Sequence, residues 1–318
     1  TGKYLPEKVL TNEEISKFVD TSDEWITTRT GIRERRIASD SETASTLAVK
    51  ASLEALQRAK VRPGELDMLI LATISPDRIF PATACYVQKE IGAVNAAAFD
   101  ISAACSGFIY ALSVANAYIM SGLARKILVI GTEVLSRFTD WQDRATCVLF
   151  GDGAGAMVVG ASESEGSILS AYIGSDGNYS ELLLVPAGGG AIPASVDTVQ
   201  KRQHYMQMAG KEVFKVAVMK MAEAFEKALS KTNLKSDDIT LLIPHQANMR
   251  IIDAVARRLN FPLERTFVNV NKYGNISAAT TIVALDEAIE AGRLKKGDVA
   301  AIIAFGGGFT WGAMIVRM

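Results

Sequence analysis

The sequence predicts an α/β fold built from two similar halves, and three observations carry that prediction. Short apolar runs alternate with amphipathic stretches of helical spacing, the pattern of sheets covered by helices on both faces. Three sequence blocks recur in the same order in the two halves of the chain. The residues with the most chemistry to offer stand where apolar runs give way to helices, the end of an α/β sheet at which ligands bind.

Size and composition agree. At 318 residues the chain is two average domains or one large duplicated body. Apolar residues make up 49% and charged ones 22%, enough to bury a large core and keep a soluble surface. A net charge of −1 argues against broad nucleic-acid binding, which calls for a basic excess. Cys85, Cys105 and Cys147 are odd in number and widely spaced, so a disulfide framework is not expected and a reducing, cytoplasmic compartment is. No spacing resembles a zinc site, and no apolar run is long enough to span a membrane.

In chain order, the opening Thr1–Pro6 reads as a turn after a strand that the sequence lacks, so residues are expected to precede it. A helix over 43–59 leads through the breaker Pro63-Gly64 into an apolar strand over 68–73. A helix over 84–91 precedes a strand over 98–102, followed by an Ala- and Leu-rich helix over 106–121. Strands are expected at 127–131, 147–150 and 156–160. The second half repeats the scheme, with helices at 213–230, 251–259 and 278–291 and strands at 241–243, 267–270, 299–305 and 313–317.

The repeat is legible in residues. A helix leads through 63–67 into Met68-Leu-Ile-Leu-Ala72, and another through 234–238 into Ile239-Thr-Leu-Leu-Ile243. Ser121-Gly-Leu-Ala-Arg-Lys126 is echoed by Ala291-Gly-Arg-Leu-Lys-Lys296. Phe150-Gly-Asp-Gly-Ala-Gly155 is echoed by Phe305-Gly-Gly-Gly308. Neither glycine run, nor Ala187-Gly-Gly-Gly190, is followed by the Lys-Ser/Thr of a phosphate loop. Two halves joined near 161–180 are expected to pack as one body.

Three residues stand at equivalent strand-to-helix turns. Cys105 lies in Ser102-Ala-Ala-Cys-Ser-Gly107, beside the unpaired N–H groups of a helix start, which lower a thiol pKa and can hold an oxyanion. His245 follows its strand in Pro244-His-Gln-Ala-Asn248, and Asn275 lies in Tyr273-Gly-Asn-Ile-Ser277. The other histidine, His204, is given no role. Two chemistries suit Cys, His and Asn with no carboxylate at hand. In a hydrolase the Asn orients the His. In a condensing enzyme the Cys carries an acyl group while neutral His and Asn donate to a second carbonyl and stabilise an enolate. The internal duplication favours the second, because papain-like proteases have none.

Asp100-Ile-Ser-Ala-Ala-Cys-Ser-Gly-Phe108, Pro244–Asn248, Tyr273–Asn275, Phe305–Gly312 and Asp20-Thr-Ser-Asp-Glu-Trp-Ile-Thr-Thr-Arg29 resemble the thiolase superfamily. More narrowly they resemble its β-ketoacyl-acyl-carrier-protein synthase III family, from Tyr4 to the C-terminus. Chalcone synthases share Cys-His-Asn but lack the Trp25–Arg29 stretch. The resemblance implies a thiolase-like duplicated α/β fold, layered αβαβα, with two mixed five-stranded sheets around buried central helices and halves spanning 1–165 and 166–318. It implies a decarboxylative Claisen condensation of a short acyl-CoA, acetyl-CoA or a similar primer, with malonyl-acyl-carrier protein, initiating fatty-acid synthesis. An acyltransferase of specialised metabolism on the same fold is the alternative.

The resemblance also assigns residues. Cys105 would be acylated, His245 and Asn275 would grip the malonyl thioester, the N–H groups of Cys105 and Gly307 would form an oxyanion hole, and Phe305 would exclude water. Thr21, Trp25, Arg29 and Arg144 would hold the CoA nucleotide; Gly210, Phe214 and Asn248 would line its pantetheine tunnel. Phe80 (reaching in from a partner subunit), Leu135, Phe150 and Met208 would bound the acyl pocket. Lys215, Gln246, Ala247, Asn248, Met249, Arg250, Arg257 and Arg258 would meet an acidic carrier protein; Arg250, Arg257 and Arg258 also share one helical face. A homodimer is expected, with no resident cofactor, metal, nucleic acid or membrane.

Overall fold

The computed structural model describes residues 1–162 and 168–318; the expected boundary between halves at 165/166 lies outside the described residues. The first half holds a sheet of β1 (Gly2–Tyr4), β2 (Met68–Ala72), β3 (Ala97–Ile101), β4 (Lys126–Val134) and β5 (Asp152–Gly160), in the order β1-β5-β4-β2-β3. The second holds β6 (Ile168–Ser175), β7 (Leu241–Pro244), β8 (Val299–Gly306) and β9 (Thr310–Arg317), in the order β7-β8-β9-β6. Four strands of the first sheet have counterparts in the second. β2 runs parallel to β4 as β7 does to β8, and β5 runs antiparallel to β4 as β9 does to β8.

Buried between the sheets are α4 (Gly107–Met120) and α7 (Thr280–Glu290). Phe108, Ile109 and Leu112 of α4 and Ile282 and Leu285 of α7 share one core with Ile70 and Val129 of the first sheet and Ile243 and Ile302 of the second. α4 is apolar along most of its length, while α7 keeps an apolar face to the core and turns Asp286 and Glu290 to Lys3 and Arg58. On the outer faces, α2 (Ala44–Ala59) and α3 (Thr83–Ile91) cover the first sheet, while α5 (Gly210–Leu229) and α6 (Met249–Arg258) cover the second. The order is α, β, α, β, α, as expected. Each apolar stripe has a sheet face to bury against.

Three expectations need correction. The second sheet has four strands, because 267–270 does not form one. A single bridge joins Leu242 to Thr266; beyond it the amides of Asn269 and Val270 donate to Gln246 Oε1 at 2.9 and 3.1 Å, which takes the ladder's donors and turns the chain. The run 147–150 is apolar because Cys147 and Val148 are buried against Ile15 and Ile26, yet it is a series of turns, with the Cys147 amide donating to the Asp143 carbonyl. Thr1–Pro6 is not a turn: Gly2–Tyr4 pairs with 154–156 as an edge strand. The sequence reading also missed α1 (Asp23–Thr30), capped by Ser22, whose Oγ accepts from the Trp25 amide at 3.1 Å.

Candidate active site

Cys105 sits in a tight turn (Ala104–Ser106) feeding directly into α4. Ala104, with φ of 46°, occupies the left-handed region that a non-glycine residue adopts only under constraint. Ser106 Oγ donates to the Ala103 carbonyl at 2.8 Å, fixing the turn from within. On the opposite half, Ser277 has φ of 43° in the turn (Ser277–Ala279) that feeds α7. The two constrained elbows face each other across the duplication. Gly306, at the end of β8, closes the third side: a Cβ there would lie 2.5 Å from the backbone N of Cys105.

One cavity of about 1120 Å³ is lined by Cys105, His245 and Asn275 together, with Phe305, Gly306 and Gly307 beside them. All three chemical side chains are buried. Asn275 is fixed by its own turn: Oδ1 accepts from the Ser277 amide at 2.8 Å, which leaves the Nδ2 hydrogens for another acceptor. His245 Nδ1 lies 2.7 Å from Thr280 Oγ1. The one Thr280 hydroxyl proton has two acceptors, Nδ1 and the Ser277 carbonyl at 2.9 Å; the tautomer with its proton on Nε2 is the one in which Thr280 donates to Nδ1. Burial pushes the His245 pKa down to about 3, so the ring is neutral throughout the physiological range.

The Cys105 thiol departs from the sequence expectation of a thiolate. Burial pushes it up to about 12, outweighing the favourable hydrogen bonds from Ser277, its own backbone and Asn275. A second departure lies behind it. The sequence showed no carboxylate at the site, yet β4 places Glu133, with no exposed surface, close enough to disfavour the thiolate further. Its signal in the sequence was a single acid at the end of an otherwise apolar strand.

The remaining assigned residues divide. Arg29, Gly210, Phe214, Asn248, Leu135, Phe150 and Met208 line the cavity, as do Lys215, Ala247 and Arg250 from the set expected to meet a carrier protein. Trp25 and Arg29 border a smaller, outer depression. The Arg29 and Arg144 guanidinium carbons lie 4.5 and 4.9 Å from the Trp25 ring centroid, so a planar base entering between Trp25 and Arg144 must displace the arginine. Thr21 Oγ1 is buried without a hydrogen-bond partner. Phe80 lies outside its own chain's cavity and is 82% exposed.

One of the residues expected to meet a carrier protein does not fit as read. Gln246 is buried, and its carboxamide is spent on the Pro244 and Phe267 carbonyls and on the amides of Asn269 and Val270, so it offers no surface to a protein. Met249 packs against Gly31 and with Ile32 and Ile252. Arg257 is exposed but already paired with Asp253 at 2.7 Å. Arg258 is exposed. Ile74, Leu149 and Met206 were missed and line the same cavity. Ile74 stands outside any expected element, Leu149 lies in the run 147–150 that reads as a strand, and both become pocket residues only through folding.

Family models match two segments: 3-oxoacyl-[acyl-carrier-protein] synthase III over residues 99–177 and its C-terminal part over 229–318. A β-ketoacyl-[acyl-carrier-protein] synthase III of Caldanaerobacter subterraneus is 54% identical over 317 residues, covering 100% of this chain and 96% of its own. One of Clostridioides difficile is 53% identical over 316 residues, covering 99% and 96%. The crystal structure of 3-oxoacyl-[acyl-carrier-protein] synthase III from Aquifex aeolicus superposes with a TM-score of 0.92 at 52% identity, covering 100% of this chain and 98% of that one.

Proposed function

The chain belongs to the β-ketoacyl-[acyl-carrier-protein] synthase III family, and from that premise we propose how its residues divide the work. It is an acyltransferase-type condensing enzyme that joins a short acyl-CoA to malonyl-acyl-carrier protein with loss of CO₂. The observation that carries the division of roles is the convergence of Cys105, His245 and Asn275, from two halves, on one largely apolar cavity.

Cys105 takes the acyl group from CoA, its sulfur bonding to the thioester carbon as the CoA sulfur leaves. The oxyanion of that step is held by the N–H groups of Cys105 and Gly307; glycine at 306 lets the strand end lie against the nucleophile's backbone. Malonyl-carrier protein then enters, and Nε2–H of His245 with Nδ2–H of Asn275 donate to its thioester carbonyl. Charge develops on that oxygen as CO₂ departs, and the enolate carbon attacks the acyl group on Cys105. Two fixed neutral donors in a buried site contribute roughly 3 kcal/mol each to such a transition state. A neutral imidazole suits this role, and its depressed pKa keeps it so. Phe305, packed edge-on against Phe309 at 4.7 Å, keeps water from the enolate.

The nucleotide of CoA lies at Trp25, Arg144, Arg29 and Thr21, and its pantetheine arm passes Gly210, Phe214 and Asn248. The acidic carrier protein meets Lys215 and Arg250 at the cavity mouth, with Arg258 on the same helix. The enzyme works as a cytoplasmic homodimer without resident metal or cofactor. Supporting the dimer, β3 is an edge strand with free backbone groups, and Ile79 and Phe80 nearby are 85% and 82% exposed. A second copy on that edge covers them and brings Phe80 to its acyl pocket.

The test is a two-stage assay with labelled acetyl-CoA and malonyl-carrier protein. Label should appear first on the protein and then in acetoacetyl-carrier protein. Cys105→Ser should abolish the first stage. Asn275→Ala should retain acylation and slow decarboxylation by roughly 10²–10³-fold. Normal decarboxylation by Asn275→Ala overturns its role, and release of free acetate without malonyl consumption points instead to a hydrolase.

A further inference from the structure

Acylation of a neutral thiol releases a proton, and the site so far described has no good acceptor for it. His245 is the nearest candidate by type, but a ring whose pKa is pushed down to about 3 by burial is a weak base. A buried titratable group close to the thiol is Glu133 on β4. Its two carboxylate oxygens are held unequally. Oε2 accepts from Ser75 Oγ at 2.6 Å, Ile74 N at 3.1 Å and Thr73 Oγ1 at 3.2 Å, whereas Oε1 receives only long contacts from Ile74 N at 3.3 Å and Ala278 N at 3.4 Å. Ala278 immediately follows Ser277, so the lightly held oxygen faces the elbow of the other half. The Ser277 hydroxyl is buried and makes no hydrogen bond of standard geometry; it lines the same cavity as Cys105, beside the Ala278 amide that reaches Glu133, and is near enough to both acids to favour the anion at each.

We propose that Ser277 and Glu133 form the proton path of Cys105, the serine hydroxyl linking the thiol to the buried carboxylate. This rests on the acyl-transfer reading above. As the Sγ–acyl bond forms, the S–H bond breaks, its proton passes to Ser277 Oγ, and the serine proton passes to Glu133 Oε1. The acyl–CoA bond breaks, and the CoA thiolate takes its proton from water at the open end of the tunnel. Glu133 stays protonated through the acyl-enzyme stage, so no carboxylate charge opposes the malonyl carboxylate or the enolate. When the carbon–carbon bond forms, Cys105 leaves as thiolate and recovers the proton by the reverse route. One proton is consumed per turnover, at CoA.

The energetics favour this acceptor. Burial pushes the Glu133 carboxyl up to about 7 and the His245 imidazole the other way, which makes the carboxylate the stronger base of the two. The groups facing Cys105 are Glu133 from β4, His245 from the turn after β7, and the neutral side chains of Asn275 and Ser277. Those holding Glu133 are the hydroxyls of Thr73, Ser75 and Ser277 and the amides of Ile74 and Ala278, none of which titrates near neutrality.

Single-turnover acylation by labelled acetyl-CoA, followed from pH 5.5 to 9, tests the path without the condensation step. The full-length wild-type rate should rise with pH and level off near 7. Glu133→Gln should slow acylation roughly a hundredfold, the usual scale of a lost general base. Its remaining rate should climb with the thiolate fraction and show no levelling near 7. Glu133→Asp should restore the levelling. Ser277→Gly, chosen because glycine accepts the left-handed backbone, should slow acylation at least tenfold, and it decides the matter if Glu133→Gln does not fold. A Glu133→Gln enzyme slowed equally at every pH, with the levelling intact, means that the carboxylate only braces the elbow and overturns the path. Wild-type acylation kinetics in Ser277→Gly also overturn it. Absence of acylation in the wild type overturns the functional reading instead.

Discussion

Gly306→Ala should disable the enzyme while leaving the fold intact. Gly306 does not lie in the left-handed region, so alanine meets no backbone strain there; the obstacle is space. The added Cβ would fall 2.5 Å from Cys105 N, 3.0 Å from Ala104 Cβ and 3.1 Å from Ser106 N, whereas ordinary van der Waals contact begins at 3.4 Å. Two of those three neighbours are backbone atoms of the nucleophile's own turn, which cannot rotate out of the way. The elbow must therefore retreat from the strand end by about 1 Å, and a misplacement of that size costs roughly 10²-fold in rate. Overpacking a fitted core costs about 1–3 kcal/mol of stability, which a two-sheet body of this size tolerates. The assay is acyl-enzyme formation from labelled acetyl-CoA, with thermal unfolding in parallel. Gly64→Ala, where nothing lies within 4 Å, is the control and should match wild type in both. Acylation by Gly306→Ala within twofold of wild type, with unfolding unchanged, refutes the claim that the strand end sets the position of the thiol.

Two further outcomes follow from the same geometry. His245 has its folded-state pKa depressed from 6.5 to about 3, so its contribution to stability is complete above pH 6.5 and is lost as pH falls toward 3, where the unfolded chain binds a proton that the folded one refuses. Urea unfolding should show wild type losing roughly 2 kcal/mol more than His245→Gln between pH 6.5 and 5, and parallel curves refute the burial penalty. Arg250→Ala should raise the KM for malonyl-carrier protein several-fold with little change in kcat. Arg257→Ala, already paired with Asp253, should have a smaller effect; steady-state kinetics at low salt decide, and equal effects refute the distinction.

Much of this was legible in the chain because local patterns carried it. The strand at 68–72 and its counterpart at 241–244 are continuous apolar runs bounded by turns, and the central helices at 107–120 and 280–290 are rich in apolar residues. The elbows at Cys105, His245 and Asn275 were readable because each follows such a run. What failed did so for identifiable reasons. Cys147–Phe150 and Phe267–Val270 have the composition of strands, but composition reports burial, and the backbone partners that make a strand come from elsewhere in the chain. Gln246 stands among exposed-looking polar residues, and only the fold reveals that its carboxamide is enclosed.

The sequence by itself determined the layer order, the duplication and the three side chains that converge, since these follow from hydrophobic periodicity and from residue type at the turns that follow apolar runs. The tertiary structure alone decided their chemical state. Burial removes the solvent that would stabilise a thiolate or an imidazolium, and the seam between the halves brings Glu133 of one to the Ala278 amide of the other. A pKa depends on what surrounds a group in space, and the neighbours that set these come from sequence positions far apart along the chain.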